Sequence, residues 1–209
     1  AIDQTTPIEP HIGREDYHLT EDLADQAIKW IHQQKASAPD KPFFCYFAPP
    51  AVHAPHHAPE EWIEKFSGNF DAGWDELREQ IYSRQIELGI IPPDTQLTSR
   101  PDEIPSWDSY PERYKPVATR LMEVFAGFLA HTDAQVDRIL DAIEEAGCTD
   151  DTLIIYITGD NGASAEGTIN GAWSAPSFQN GVHEDPEWLL NHIDDFGTHR
   201  CENHFNVGW

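Results

Sequence analysis

Two short apolar runs, each preceded by a helical segment, constrain the fold of this chain most. The runs are Phe43–Phe47 and Leu153–Ile157. A short continuous apolar run bounded by turn residues is typical of a strand that is buried on both faces. Apolar residues at helical spacing occupy residues 20–38 and 116–145, ahead of the two runs. This alternation of helix and strand predicts an α/β domain with a mostly parallel sheet.

Further helices are expected between the two runs and after the second. Thr20 is a predicted N-cap of the first helix, because its hydroxyl can accept a hydrogen bond from the first turn. The spacing predicts helices over 60–66 and 73–88, and a short one over 186–193. Residues 91–111 are rich in proline and predict an irregular surface segment.

The charge balance excludes whole classes of partner. Thirteen Lys and Arg stand against 37 Asp and Glu, which gives a net charge of −24. Such a surface repels nucleic acid and anionic membranes, so neither is an expected partner. No apolar run is long enough to cross a bilayer. An anionic substrate would need local positive charge from a bound cation or a few cationic side chains.

Polar motifs follow both predicted strands, and the carboxyl ends of parallel strands are where ligands bind in such sheets. After the second strand, Asp160 and Asn161 lie between two glycines. A carboxylate and an amide oxygen are hard ligands that suit Ca²⁺ or Mg²⁺. The alternative is a plain turn, because Asp-Asn-Gly is common turn chemistry.

Several histidines are candidates for chemistry. His53 follows the first predicted strand in a His-x-Pro sequence, with His56 and His57 close behind. A histidine there can donate to an anionic oxygen or act as an acid, or it can simply bond to a backbone carbonyl. His199, Cys201 and His204 form a His-x-Cys-x-x-His sequence. That is either a zinc site without an evident fourth ligand or a loop at the rim of a site.

Taken in order, these segments resemble the bacterial arylsulfatases of the type I sulfatase family. The matching stretches are 41–49 and 53–62 for a strand and its loop, 70–78 and 84–92 for a helical insert, 122–133 for a long helix, 157–167 for the metal-binding loop, and 203–209 for the approach to the substrate pocket. Asn206 stands where that family is expected to have proline. The likeness runs from about Asp16 to Trp209.

The resemblance implies an alkaline-phosphatase-like α/β/α sandwich, present here only in part. Residues 1–209 would be a partial catalytic domain that lacks the N-terminal nucleophile segment and a C-terminal part, with a helical or loop insert over 67–115. Family members use a divalent cation, usually Ca²⁺, and a formylglycine made from the Cys of a C-x-P-x-R motif. The formylglycine hydrate attacks sulfur, releases the alcohol and then expels sulfate.

The resemblance also implies roles for individual residues. Asp160 and Asn161 would be metal ligands, His53 would contact the sulfate group or the leaving oxygen, and His204 would lie at the substrate rim. His56 and His57 would be packing or rim residues. None of the three cysteines lies in a C-x-P-x-R motif, so the formylglycine is expected upstream of residue 1, and the isolated chain is expected to be inactive.

The expected substrate is a small-molecule or saccharide sulfate ester. One alternative is a phosphate or phosphonate ester hydrolase of the same superfamily, which the residue at the upstream nucleophile position would distinguish. The other alternative is a non-catalytic, metal-binding relative, which would bind metal without turnover.

Overall fold

The computed structural model describes residues 1–159 and 164–209, and within them it is mainly helical. The described strands, Ile2–Asp3 (β1) and Thr6–Pro7 (β2), form one antiparallel hairpin in which Ile2 faces Pro7 and Asp3 faces Thr6. The α-helices are Leu19–Ser37 (α1), Glu60–Ile63 (α2), Gly73–Glu87 (α3), Lys115–Glu145 (α4), Pro176–Gln179 (α5) and Pro186–Leu190 (α6). No helix in these residues has the length and apolar character that a membrane span requires.

The chain divides into two compact units. The first contains residues 1–50 and 132–157, and the second contains residues 51–131 and 158–209. The long helix α4 therefore contributes its residues up to His131 to the second unit and those from Thr132 to the first. The loop of residues 51–59, which contains His53, His56 and His57 and is called the histidine loop below, belongs to the second unit.

The first unit is built on α1 and the end of α4. Ala24 and Ile31 of α1 and Ile139 and Ile143 of α4 form its buried apolar cluster, at the i, i+4 and i, i+7 spacings that place side chains on one helix face. Helix α1 begins two residues earlier than expected, because the His18 side chain, rather than that of Thr20, caps it by accepting from the Thr20 backbone N–H at 3.3 Å.

The two predicted strands lie in this unit, and, contrary to the prediction, most of their side chains are exposed in the described chain. Residues 43–47 and 153–157 are not in a sheet in the described chain. Phe43 and Phe47 pack against the cluster of α1 and α4, whereas Phe44 is 85% and Tyr46 78% exposed. Leu153 and Ile157 are 85% and 80% exposed. A strand becomes buried through neighbouring strands, and the described residues supply none at these runs.

The second unit contains the larger core. Val117, Leu121 and Val124 of α4 are fully buried, at the spacing of one helix face. They pack with Ile63 at the end of α2 and with Phe205 near the end of the chain. This core holds residues 51–63 and 196–206 in contact with each other, and the histidines of the candidate site lie there.

An aromatic cluster ties α3 and the segment after it to this unit. Trp74 makes edge-on contacts with Trp107, Tyr110 and Trp209 at ring-centre distances of 4.7 to 5.7 Å. The Trp74 indole N–H also donates to the carbonyl oxygen of Pro105 at 3.0 Å. The irregular stretch predicted over 91–111 is thereby fixed at its end by buried aromatic rings.

Candidate functional site

His53 lies in the loop of residues 51–59, and its side chain is exposed. Its Nδ1 is 2.7 Å from the carbonyl oxygen of Ala54. Because a carbonyl oxygen only accepts, Nδ1 carries the proton of that bond. Nε2 is then an acceptor in the neutral ring and a donor in the imidazolium. The loop thus presents one histidine nitrogen that can exchange a proton with a bound molecule.

His56, three residues further on, is buried in the core of the second unit with 1% of its surface exposed. Its ring stacks on Phe205 at 5.5 Å, meets Phe125 edge-on at 5.2 Å and lies 4.8 Å from the ring of His204. Burial, followed by the nearby His204, His53 and His57, lowers the pKa of His56 to about 3. His56 is therefore a neutral packing residue at ordinary pH.

His57 bonds to a distant part of the chain. Its Nε2 is 2.7 Å from the carbonyl oxygen of Cys201, 144 residues away. Two backbone bonds run beside this contact. The His56 N–H donates to the carbonyl of Asn203 at 3.4 Å, and the Ala58 N–H donates to the carbonyl of Gly197 at 3.2 Å. Three consecutive residues of the loop are therefore attached to residues 197–203.

Residues 197–203 are themselves held by Asn203, whose side chain is fully buried. Its Oδ1 accepts from the Gly197 N–H at 3.0 Å and from the Cys201 thiol at 3.2 Å. Burial raises the pKa of the Cys201 thiol above its usual value. Cys201 is accordingly a buried, protonated thiol, a state unsuited to metal binding or nucleophilic attack, which both need the thiolate.

His204 is also buried, with its Nδ1 3.0 Å from the carbonyl oxygen of Phe205. Burial lowers its pKa, and the nearby Glu166 partly opposes that effect. The backbone of Gly167 lies close to that of Phe205, because a Cβ on residue 167 would fall 1.7 Å from the Phe205 carbonyl oxygen. The structure thus brings His56 and His204 together; the substrate-rim role of His204 stays a prediction.

The predicted metal ligands Asp160 and Asn161 lie outside the described residues. Among residues 1–159 and 164–209, no group of three or more His, Cys, Asp or Glu is arranged to hold a metal ion. This applies to the possible zinc sequence as well, in which His199 is exposed while Cys201 and His204 are buried. The structure leaves the predicted role of Asp160 and Asn161 as a prediction.

Sequence reasoning missed two parts of this arrangement. The sequence does not predict that Asn203 bonds to Gly197 and Cys201 and so holds the segment that contacts the histidine loop. Those partners depend on the tertiary fold. The pairing of His57 with Cys201 joins residues that are distant in the chain. The one available signal was the alternation of histidines with prolines and alanines after residue 52, which indicates a loop with more than one fixed side chain.

Comparison with known proteins shows which family this chain resembles. The Sulfatase family matches residues 2–193. An arylsulfatase of Klebsiella aerogenes is 32% identical over 150 residues, which make up 72% of this chain and 31% of that protein. An uncharacterized sulfatase of Schizosaccharomyces pombe is 33% identical over 145 residues, 68% of this chain and 26% of that protein.

The chain therefore belongs to the sulfatase family. Membership confirms the resemblance inferred from the sequence and implies an alkaline-phosphatase-like α/β fold. The chain spans about a third or less of the length of these two relatives.

Proposed function

We propose that the protein containing this chain hydrolyses sulfate monoesters of small molecules or saccharides, releasing an alcohol and sulfate. The observation that carries this proposal is the family match over residues 2–193. That match includes both the histidine loop and the Asp160-Asn161 pair. The arylsulfatase of Klebsiella aerogenes supports the same reaction class.

His53 is the residue of this chain that we assign to the reacting group. Its exposure leaves it accessible to a substrate, and because Nδ1 bonds to the Ala54 carbonyl oxygen, Nε2 is the nitrogen that we assign to the reaction. In the imidazolium form, Nε2–H donates a hydrogen bond to a sulfate oxygen or to the leaving oxygen. A donor that meets charge as it develops stabilises the transition state more than the ground state.

Asp160 and Asn161 are the proposed metal ligands. One carboxylate and one amide supply about two or three oxygens, whereas Ca²⁺ takes about six to eight, so other groups would complete the site. When bound, the cation supplies positive charge that attracts a sulfate ester to a chain of net charge −24. The donor types fit a hard divalent cation, with Ca²⁺ as the expected ion.

The nucleophile is proposed to be a formylglycine outside these 209 residues. Cys45 is followed by Tyr-Phe-Ala-Pro, Cys148 by Thr-Asp-Asp and Cys201 by Glu-Asn-His, so none lies in C-x-P-x-R.

The exposed runs 43–47 and 153–157 are proposed to be strands of a mostly parallel sheet in the α/β/α sandwich. Their exposed apolar side chains support this, since such surface is normally covered.

The test is hydrolysis by the protein that contains this chain. With 4-nitrophenyl sulfate and 4-nitrophenyl phosphate as alternative substrates, kcat/KM is expected to favour the sulfate ester, and a chelator is expected to abolish turnover. A preference for the phosphate ester would replace this proposal with a phosphatase function. Metal binding without turnover of either ester would indicate a non-catalytic relative.

A further inference from the structure

We propose that His57 is a positioning residue for His53: its imidazole, bonded to the carbonyl oxygen of Cys201, fixes the loop from which His53 projects. The inference rests on the role proposed above for His53 as the group that contacts the substrate. It adds a second histidine, with a different task, to the same loop.

The geometry of the His57 contact suits it to hold the loop. His57 is four residues from His53, and the separation between its Nε2 and the Cys201 oxygen, 2.7 Å, is shorter than those of the neighbouring backbone bonds at 3.4 and 3.2 Å. The residue that receives the bond is itself fixed, because the Cys201 thiol donates to the buried Asn203 side chain. The His57 contact therefore joins the loop to a residue that is itself bonded to the buried Asn203.

His53 itself has little that restrains it. Its ring is exposed, and its Nδ1 bonds to the carbonyl oxygen of the next residue, Ala54, so this contact moves with the loop. His56 anchors the loop by packing, because its ring is buried among Phe125, His204 and Phe205. The packing of His56 keeps its ring in the core. The hydrogen bond of His57 is directional, so it also restricts rotation of the loop backbone near His57.

The chemistry of the contact predicts which replacements preserve it. The acceptor is a carbonyl, so His57 must carry its proton on Nε2. Glutamine places an amide N–H near the position of Nε2 and can donate, whereas alanine leaves the carbonyl without this partner. The pair His57→Gln and His57→Ala therefore separates the hydrogen bond from the imidazole ring.

The first test is nuclear magnetic resonance of the imidazole groups in this chain. We expect His57 to be the Nε2–H tautomer, and we expect His57→Ala to shift or broaden the ring signals of His53. His57→Gln should restore those signals. His199→Ala is the matched control, because His199 is exposed in the same 197–203 segment, and it should leave His53 unchanged.

Three results would overturn the proposal. One is an Nδ1–H tautomer at His57 in the unmodified chain, which is measurable even if His57→Ala fails to fold. Another is unchanged His53 signals in a folded His57→Ala. The third is a His57→Gln variant that perturbs His53 as strongly as alanine does, since a purely structural role for the ring would give that result.

The second test is kinetic and uses the protein that contains this chain. Misplacement of a reacting group by about 1 Å can cost up to about a hundredfold in rate. We expect His57→Ala to lower kcat for 4-nitrophenyl sulfate at least tenfold with little change in KM, and His57→Gln to recover most of it. Equal losses in both variants would contradict the positioning role. If the unmodified protein hydrolyses no sulfate ester, the proposed function fails, and the tautomer and His53 signals still decide the role of His57.

Discussion

Acid should destabilise the second unit through His56, and the size of the effect follows from its burial. The unfolded chain binds a proton on this imidazole below its ordinary pKa of 6.5, whereas the folded chain does so only below about 3. Between these values the unfolded state holds more protons, so the free energy of unfolding falls as the pH falls. The contribution of neutral His56 is complete above pH 6.5 and is lost progressively down to pH 3.

The loss of unfolding free energy that is due to His56 can be measured separately in a narrow pH window. Each pKa unit corresponds to about 1.4 kcal/mol, so the loss between pH 7 and pH 5 is about 2 kcal/mol. Below pH 5 the carboxylates of a chain with net charge −24 also begin to take up protons. Their protonation relieves self-repulsion and acts in the opposite direction. The window from pH 7 to pH 5 therefore reports mainly on histidine.

The measurement is urea unfolding at pH 7 and pH 5 of the unmodified chain, His56→Leu and His199→Gln. Leucine removes the titrating ring and also Nδ1, a buried atom with no hydrogen-bond partner among the described residues. We expect His56→Leu to lose about 2 kcal/mol less than the unmodified chain on acidification. His199 is exposed, so His199→Gln should behave like the unmodified chain. Equal pH dependence in His56→Leu and the unmodified chain would show that protonation of His56 does not cause the loss of stability.

Three further predictions concern packing, metal binding and activity. Gly127→Ala should lower the midpoint of thermal unfolding, because its Cβ would fall 2.8 Å from backbone atoms of Ile63. Such overpacking costs about 1–3 kcal/mol and outweighs the gain of about 1 kcal/mol in helix propensity; a rise in the midpoint would contradict the close approach. The isolated chain should bind Ca²⁺ weakly in calorimetry, since two side chains supply few of the required oxygens. Submicromolar binding that survives Asp160→Ala would exclude this site. The isolated chain should also hydrolyse no aryl sulfate, because it lacks the motif of the expected nucleophile. Turnover that a chelator abolishes would contradict that expectation.

The sequence predicted those elements whose stability is local. Helices α1 and α4 were predicted to within a residue or two because apolar spacing along one segment determines the face that each buries. The runs 43–47 and 153–157 were predicted as buried strands, but strand burial depends on neighbours elsewhere in a chain, and the described residues pair with neither.

The same distinction applies to the candidate site. The exposed position of His53 at the start of its loop could be anticipated from His-x-Pro after an apolar run. The burial of His56 against His204, and the bond from His57 to Cys201, could not. They arise where residues 51–59 meet residues 197–205, and no local pattern encodes that contact.

We have proposed that the protein containing this chain is a sulfate ester hydrolase in which His53 contacts the reacting group. The most direct measurement is kcat/KM for 4-nitrophenyl sulfate in the unmodified protein, His53→Ala and the control His199→Ala. A group that contacts developing charge contributes about 3 kcal/mol, so His53→Ala should fall about a hundredfold while His199→Ala stays within about twofold of the unmodified protein. A His53→Ala variant as active as the control would show that His53 does not contact the reacting group.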